Sequence, residues 1–97
     1  MPIFTINTNL AQKLIKPDFL SKTAEVVAAV LNKPLSYVVV HINADQMMSW
    51  GGSTDPCAVA QLESIGQLGK AQNKKISAKL YEHIQNSLGI KPDRFVL

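Results

Sequence analysis

The chain has 97 residues, 46% of them hydrophobic, and 10 basic against 7 acidic side chains give a net charge of +3. That content suits one domain with a hydrophobic core and excludes a disordered protein. A single arginine, Arg94, and lysines scattered apart from the pair Lys74-Lys75 form no basic stripe, which excludes the usual nucleic-acid binder.

The opening residues MPIFTINTN read as a strand from Pro2 onward. Proline at the first position of a strand is tolerated because that amide has no ladder partner to serve. A chemical reading stands beside it. Removal of Met1 would turn the Pro2 nitrogen into a secondary amine, held by a ring that locks φ, and so into a nucleophile or base.

Lys16-Pro17-Asp18 punctuates, and Asp18 is placed to cap a helix beginning at Phe19. Phe19, Leu20, Ala24, Val27, Val30 and Leu31 recur at helical steps. Pro34 stops that helix and pushes Lys33 toward extended geometry. Tyr37 to Asn43 is short, β-branched and nearly all apolar, which predicts an internal parallel strand covered by helices. Gly51 to Pro56 is a loop. Cys57 to Gln67 is ambiguous, with Leu62 and Ile65 ahead of Gly66 suggesting a strand. Asn73 is placed to cap a second helix, along which Ile76, Leu80, Ile84 and Leu88 repeat at four, and Gly89 closes it. Arg94-Phe95-Val96-Leu97 begins a last strand.

An echo organises the chain. Lys33-Pro34-Leu35-Ser36-Tyr37-Val38-Val39 and Lys91-Pro92-Asp93-Arg94-Phe95-Val96-Leu97 share one pattern of Lys-Pro, two residues, an aromatic and a valine. Each half then reads strand, helix, strand, with a right-handed crossover making its two strands parallel. We expect one domain over residues 1–97, of two pseudo-repeats near 1–50 and 51–97, forming a four-stranded sheet with both helices on one face. The other face is expected to be apolar, from Tyr37 and Val39 against Val38, Val40 and Ile42, and to be buried by self-association.

Other constellations carry less chemistry. His41 and His83 have no Cys or acidic partner at metal-ligand spacing and read as structural or surface groups. Gly51-Gly52-Ser53-Thr54 lacks the lysine of a phosphate loop. Ser49, Ser53 and Ser64 have no nucleophile setting, and Met47-Met48-Trp50 reads as interface or core. The lone Cys57 excludes an internal disulfide and is consistent with a reducing compartment. No basic-then-apolar leader and no apolar run near the ~20 residues of a membrane span is visible, so we expect a soluble cytoplasmic chain without membrane insertion.

The stretches MPIFTINTN, NKPLSYVVVHINADQMMSWGGSTDPCA, SIG and KPDR, in this order and spacing, resemble the macrophage migration inhibitory factor and D-dopachrome tautomerase family, nearer the former, over all 97 residues. The resemblance implies an α/β tautomerase-type fold, a double β-α-β with a four-stranded mixed sheet, assembled as a homotrimer whose sheets line a central barrel. It implies an isomerase that interconverts keto and enol forms of phenylpyruvate-like and dopachrome-like carboxylates, with no metal or organic cofactor. It also implies cytokine-like action at a cell-surface receptor after secretion by a route without a signal peptide.

Residue by residue, Pro2 matches the family's amino-terminal base. An α-amino group titrates near ~8, and an apolar pocket beside a cation lowers that value toward neutrality. Lys33 matches the residue that holds the substrate carboxylate; on its own it reads as a cation favoured at a helix C-terminus. Ile65 matches a pocket-lining position and Tyr37 a pocket rim, with core packing the competing reading for each.

Three departures qualify the resemblance. Some members carry two cysteines two residues apart where this chain has Cys57-Ala58-Val59-Ala60, so a two-thiol redox cycle is impossible at this site. Val96 stands where the family commonly has a tyrosine, and loss of one donor to a developing enolate is worth about 10²–10³ in rate at an organised site. The family's closing segment would follow Leu97; without it we expect an unpaired sheet edge and weakened activity. A binding protein with a vestigial pocket, or a truncated isoform that joins full-length trimers, is the alternative.

Overall fold

The computed structural model describes the backbone of residues 2–63 and 70–97 and the side chains of 2–63 and 74–97. Strand β1 (Ile3–Thr8) leads through a turn at Gln12–Leu14 to helix α1 (Phe19–Leu31), a turn at Leu35–Tyr37 and strand β2 (Val39–Asn43). Strand β3 (Ala58–Glu63), helix α2 (Lys70–Leu88), a turn at Pro92–Arg94 and strand β4 (Phe95–Val96) complete the chain. The sheet order is β2-β1-β3-β4. Each outer strand is parallel to its neighbour, and the central pair β1 and β3 is antiparallel, with Ile3 opposite Glu63 and Thr8 opposite Ala58.

Period-two alternation in β1 sends Phe4, Ile6 and Thr8 to the helix side, all fully buried. Phe4 and Ile6 share one core cluster with Phe19 and Val27 of α1 and Ile76, Leu80 and Ile84 of α2, so both helices cover one face. Each large apolar side chain buried there contributes about 1.5–3 kcal/mol. The four-residue repeat of α2 is buried along its length, from Ile76 through Leu88. The buried stripe of α1 is Phe19, Thr23 and Val27, whereas Leu20, part of the same apolar periodicity, is 47% exposed. The buried Thr23 hydroxyl in that stripe meets a polar partner on α2, His83.

Several expected details differ. Asp18 precedes α1 but its side chain makes no capping bond, since its backbone (φ −89°, ψ 4°) is already near-helical rather than extended. Its carboxylate pairs instead with Lys22 at 3.5 Å. Asn73 lies inside α2, three residues past the helix start at Lys70, so it is not the cap. Tyr37 is not in a strand: the Pro34 carbonyl accepts its amide at 3.0 Å, closing a turn that delays β2 to Val39. Nor is β2 internal. It is an edge strand, and Val39 and His41 alternate outward on the sheet face without helices. That face is mixed, not apolar as expected: the register lines up Ile3, Val39 and Glu63, then Thr5, His41 and Gln61.

Candidate active site at the amino end of the central strand

Pro2 ends in a buried position at the head of β1, its ring fully covered. Its carbonyl accepts the Val39 amide at 2.9 Å, the first rung between β1 and β2. A proline at this position loses nothing by lacking an N–H, because the rung uses only its oxygen.

The segment that reaches Val39 is shaped by three local devices. Asn32 takes the left-handed conformation (φ 53°, ψ 48°), which Asn tolerates better than most residues. Its amide bonds the Ala29 carbonyl at 3.3 Å and the Lys33 amide bonds Ala28 at 3.0 Å, a Schellman-type close that satisfies two orphan carbonyls of α1. Pro34 then bars further helix, and the turn from Leu35 to Tyr37 delivers the chain to Val39. Lys33 and Tyr37 therefore sit on a short, backbone-bonded connection whose far end is tied to Pro2. Both are exposed, Tyr37 by 56%. Lys33 has no carboxylate within ion-pairing distance: Asp18–Lys22 is the one ion pair among the described residues. The fourth expected site residue, Ile65, lies outside the described residues.

Three open cavities among the described residues lie elsewhere. One of about 480 Å³ lies beside Ile15, Pro17, Leu20 and Ile42, one of about 440 Å³ between the two helices, and one of about 570 Å³ beside Asn9, Met47 and Met48. None of these is lined by Pro2, Lys33 or Tyr37.

A polar clamp that pattern reading missed holds the loop before β3. The Arg94 guanidinium donates to the carbonyls of Asp55 (2.8 Å), Pro56 (3.0 Å), Ser53 (3.3 Å) and Trp50 (3.4 Å). From the other side, the Asn9 amide group donates to Thr54 and Asp55 carbonyls, and its oxygen accepts the Cys57 amide at 3.0 Å. Cys57 itself is a buried free thiol, and the Thr8 hydroxyl donates to its carbonyl at 2.7 Å. The only hint was that Arg94 is the sole arginine.

His83, expected to be structural or a surface group, sits between the helices. Its ring stacks on Phe19 with centroids 6.0 Å apart, and its Nε2 lies 2.8 Å from the buried Thr23 hydroxyl. Burial lowers its pKa below the ordinary value. His41 is exposed on the edge strand. Among the described residues no three His, Cys, Asp or Glu side chains converge on a metal-sized site.

The macrophage migration inhibitory factor family model matches residues 1–97. The chain is 48% identical over 97 residues to the macrophage migration inhibitory factor homolog of Trichinella spiralis, covering all of this chain and 85% of the relative. It is 40% identical over 94 residues to the rat factor, covering 97% of this chain and 82% of that one. The solved structure of the Trichinella spiralis factor superposes with a TM-score of 0.94 over 97% of this chain and 83% of that one, at 48% identity. The factor from Toxoplasma gondii superposes with a TM-score of 0.83 at 33% identity, over 98% of this chain and 85% of that one.

Proposed function

Because the chain belongs to the macrophage migration inhibitory factor family, we propose that it is a keto–enol tautomerase of phenylpyruvate-like and dopachrome-like carboxylates with Pro2 as its base. The observation that carries this reading is the placement of Pro2: a buried ring at the head of the central strand, tied through Val39 to the connection that bears Lys33 and Tyr37. Once Met1 is removed, the Pro2 nitrogen is a secondary amine. It takes the proton from the carbon beside the substrate carbonyl, leaving an enolate, and the proton returns at oxygen to give the enol. The reverse order gives the ketone, so one monobasic group serves both directions. The Lys33 ammonium holds the substrate carboxylate and disfavours protonation of the nearby amine. From the resemblance, the pocket wall is assigned to Ile65, outside the described residues, and the pocket rim to Tyr37.

In this reading the site is completed by assembly. A homotrimer covers the helix-free sheet face, on which Val39, Val59 and Val96 are each more than a third exposed, and a neighbouring copy walls the cleft around Pro2. The chain acts both inside cells and, after release without a signal peptide, at a cell-surface receptor. The test is phenylpyruvate enol turnover by the purified protein and by Pro2→Gly, with intact mass reporting whether Met1 is gone. Equal rates in the two proteins, or a retained Met1 in an active protein, overturn the proline mechanism.

One observation favours a second reading, a receptor-binding protein with a silent pocket. Val96 carries no hydroxyl to donate to an enolate, where the family commonly has tyrosine. Receptor binding that persists in Pro2→Gly, with no turnover in either protein, supports that reading over the first.

A further inference from the structure

We propose that the trough between α1 and α2 binds a single-chain anionic amphiphile, a fatty-acid-like carboxylate whose tail lies between the helices and whose head meets Lys75 and Lys79. The two helices run antiparallel, so Phe19 and Thr23 meet His83 while Val26, Ala29 and Val30 lie across from Ile76 at the other end. An open groove remains there, with Ala29 exposed on its wall. Its cavity of about 440 Å³ has Val26, Ala29 and Val30 as one wall, Ile76 as a floor that is only 5% exposed, and Lys75 and Lys79 on the rim. That volume is ordinary for a ligand site.

Charge decides the occupant. Lys75 and Lys79 stand one turn apart on α2, both exposed, and neither belongs to the single ion pair among the described residues. The nearest carboxylates along the two helices, Glu25 and Glu82, do not line the trough. The result is an apolar slot with two unpaired ammonium groups on one side. A peptide strand laid there would press its N–H and C=O groups against apolar walls without partners. A neutral hydrocarbon would leave both cations unused. An alkyl carboxylate satisfies both halves of the site: its tail is removed from water, and its head makes charge-assisted contacts to a pair of ammonium groups. The trough is on the helix layer, opposite the sheet face that self-association would cover, so it stays open in an assembly. The proposal stands independently of the chemistry assigned to Pro2.

The test is titration of the full chain with monomeric dodecanoate, followed by calorimetry. We expect saturable binding of one molecule per chain, and decanoate binding weaker by up to about fifteenfold, the product of two lost methylenes. Dodecyltrimethylammonium, with the same tail and the opposite charge, should not compete. The double variant Lys75→Glu, Lys79→Glu should weaken dodecanoate by about tenfold or more. Ala29→Trp, which fills the trough and keeps both lysines, should abolish binding, and both variants should keep wild-type helicity and phenylpyruvate turnover. Equal affinity for the two chain lengths, or for the cationic analogue, overturns the proposal, as does unchanged binding in either variant. Loss of dodecanoate binding in Pro2→Gly would move the ligand to the other site and also overturn it. Binding to phosphatidylserine vesicles without binding of monomeric dodecanoate would mean a lipid surface instead, and would equally refute a free amphiphile.

Discussion

The Val39 amide donates to the Pro2 carbonyl at 2.9 Å, and this one bond joins the end of the Lys33–Val38 connection to the head of the central strand. Pro2 has no N–H of its own, so its share of the junction is this one accepted bond, ahead of the ladder that continues at Ile3 and Phe4.

Val39→Pro removes that donor with little other disturbance, because Val38 already has the extended geometry (φ −89°, ψ 129°) required before proline. Urea unfolding should show a loss of about 1–3 kcal/mol, the cost of leaving a buried carbonyl unpaired. If the connection positions Lys33 against a substrate carboxylate, KM for phenylpyruvate should rise in the same variant. An unchanged unfolding midpoint would show that the bond contributes nothing to the junction.

Asn32 is the second hinge of this connection. Its left-handed backbone (φ 53°, ψ 48°) favours glycine and penalises branched residues. Asn32→Gly should leave thermal stability unchanged or slightly raised, whereas Asn32→Val should cost about 1–2 kcal/mol. Equal melting temperatures for the two variants would mean that the left-handed geometry is not maintained in solution.

His83 makes stability depend on pH. Burial between the helices lowers its folded pKa below the unfolded 6.5, so between those two values the unfolded chain binds more protons than the folded one. Its contribution is therefore full above pH 6.5 and is lost as pH falls from 6.5 through the folded pKa. The cations Lys16 and Lys22 and the carboxylate of Asp18 line the adjoining cleft with Ser87 and Phe19, and none offers His83 a carboxylate partner at ion-pairing distance. His83→Gln keeps a hydrogen-bonding group for Thr23 and removes the titration. The stability difference between pH 7.5 and pH 5 should shrink in this variant; an unchanged difference would assign the slope to other groups.

What the chain disclosed in advance follows from what physics makes local. Lys33-Pro34 and Lys91-Pro92 both follow the end of a helix and both lead through a tight turn to an outer strand, because proline cannot continue a helix interior but suits the first position of a new turn. Ile76, Leu80, Ile84 and Leu88 are buried as their spacing required. Strand order was less visible: Tyr37 to Asn43 is apolar enough for a central strand, yet only its pairing with β1 and its exposed Val39 and His41 show it to be an edge. Asp18 and Asn73 have the residue type of a cap without its geometry, which composition cannot report. For the site, Pro2 by itself reads as a strand start whose nitrogen becomes an amine if Met1 is lost, and the role of base proposed for it rests on the resemblance of whole stretches. The Arg94 clamp was hidden because its partners are backbone carbonyls, which leave no mark in side-chain order.

That clamp gives the most stringent test of the described geometry. Arg94 reaches back from the turn before β4 to carbonyls between Trp50 and Pro56, and Asn9 reaches the same loop from the end of β1, with Asp55 carbonyl shared by both. Arg94→Lys keeps the charge but loses the planar fork, and should cost about 1–2 kcal/mol. Asn9→Ala should cost a similar amount, since the Cys57 amide loses its acceptor. Because the two residues hold one loop, the double variant should not equal the sum of the singles. A coupling of about 0.5–3 kcal/mol is expected from a double-mutant cycle by urea unfolding. Strict additivity would mean that Arg94 and Asn9 act on separate segments and that the loop from Trp50 to Pro56 is not a single clamped unit.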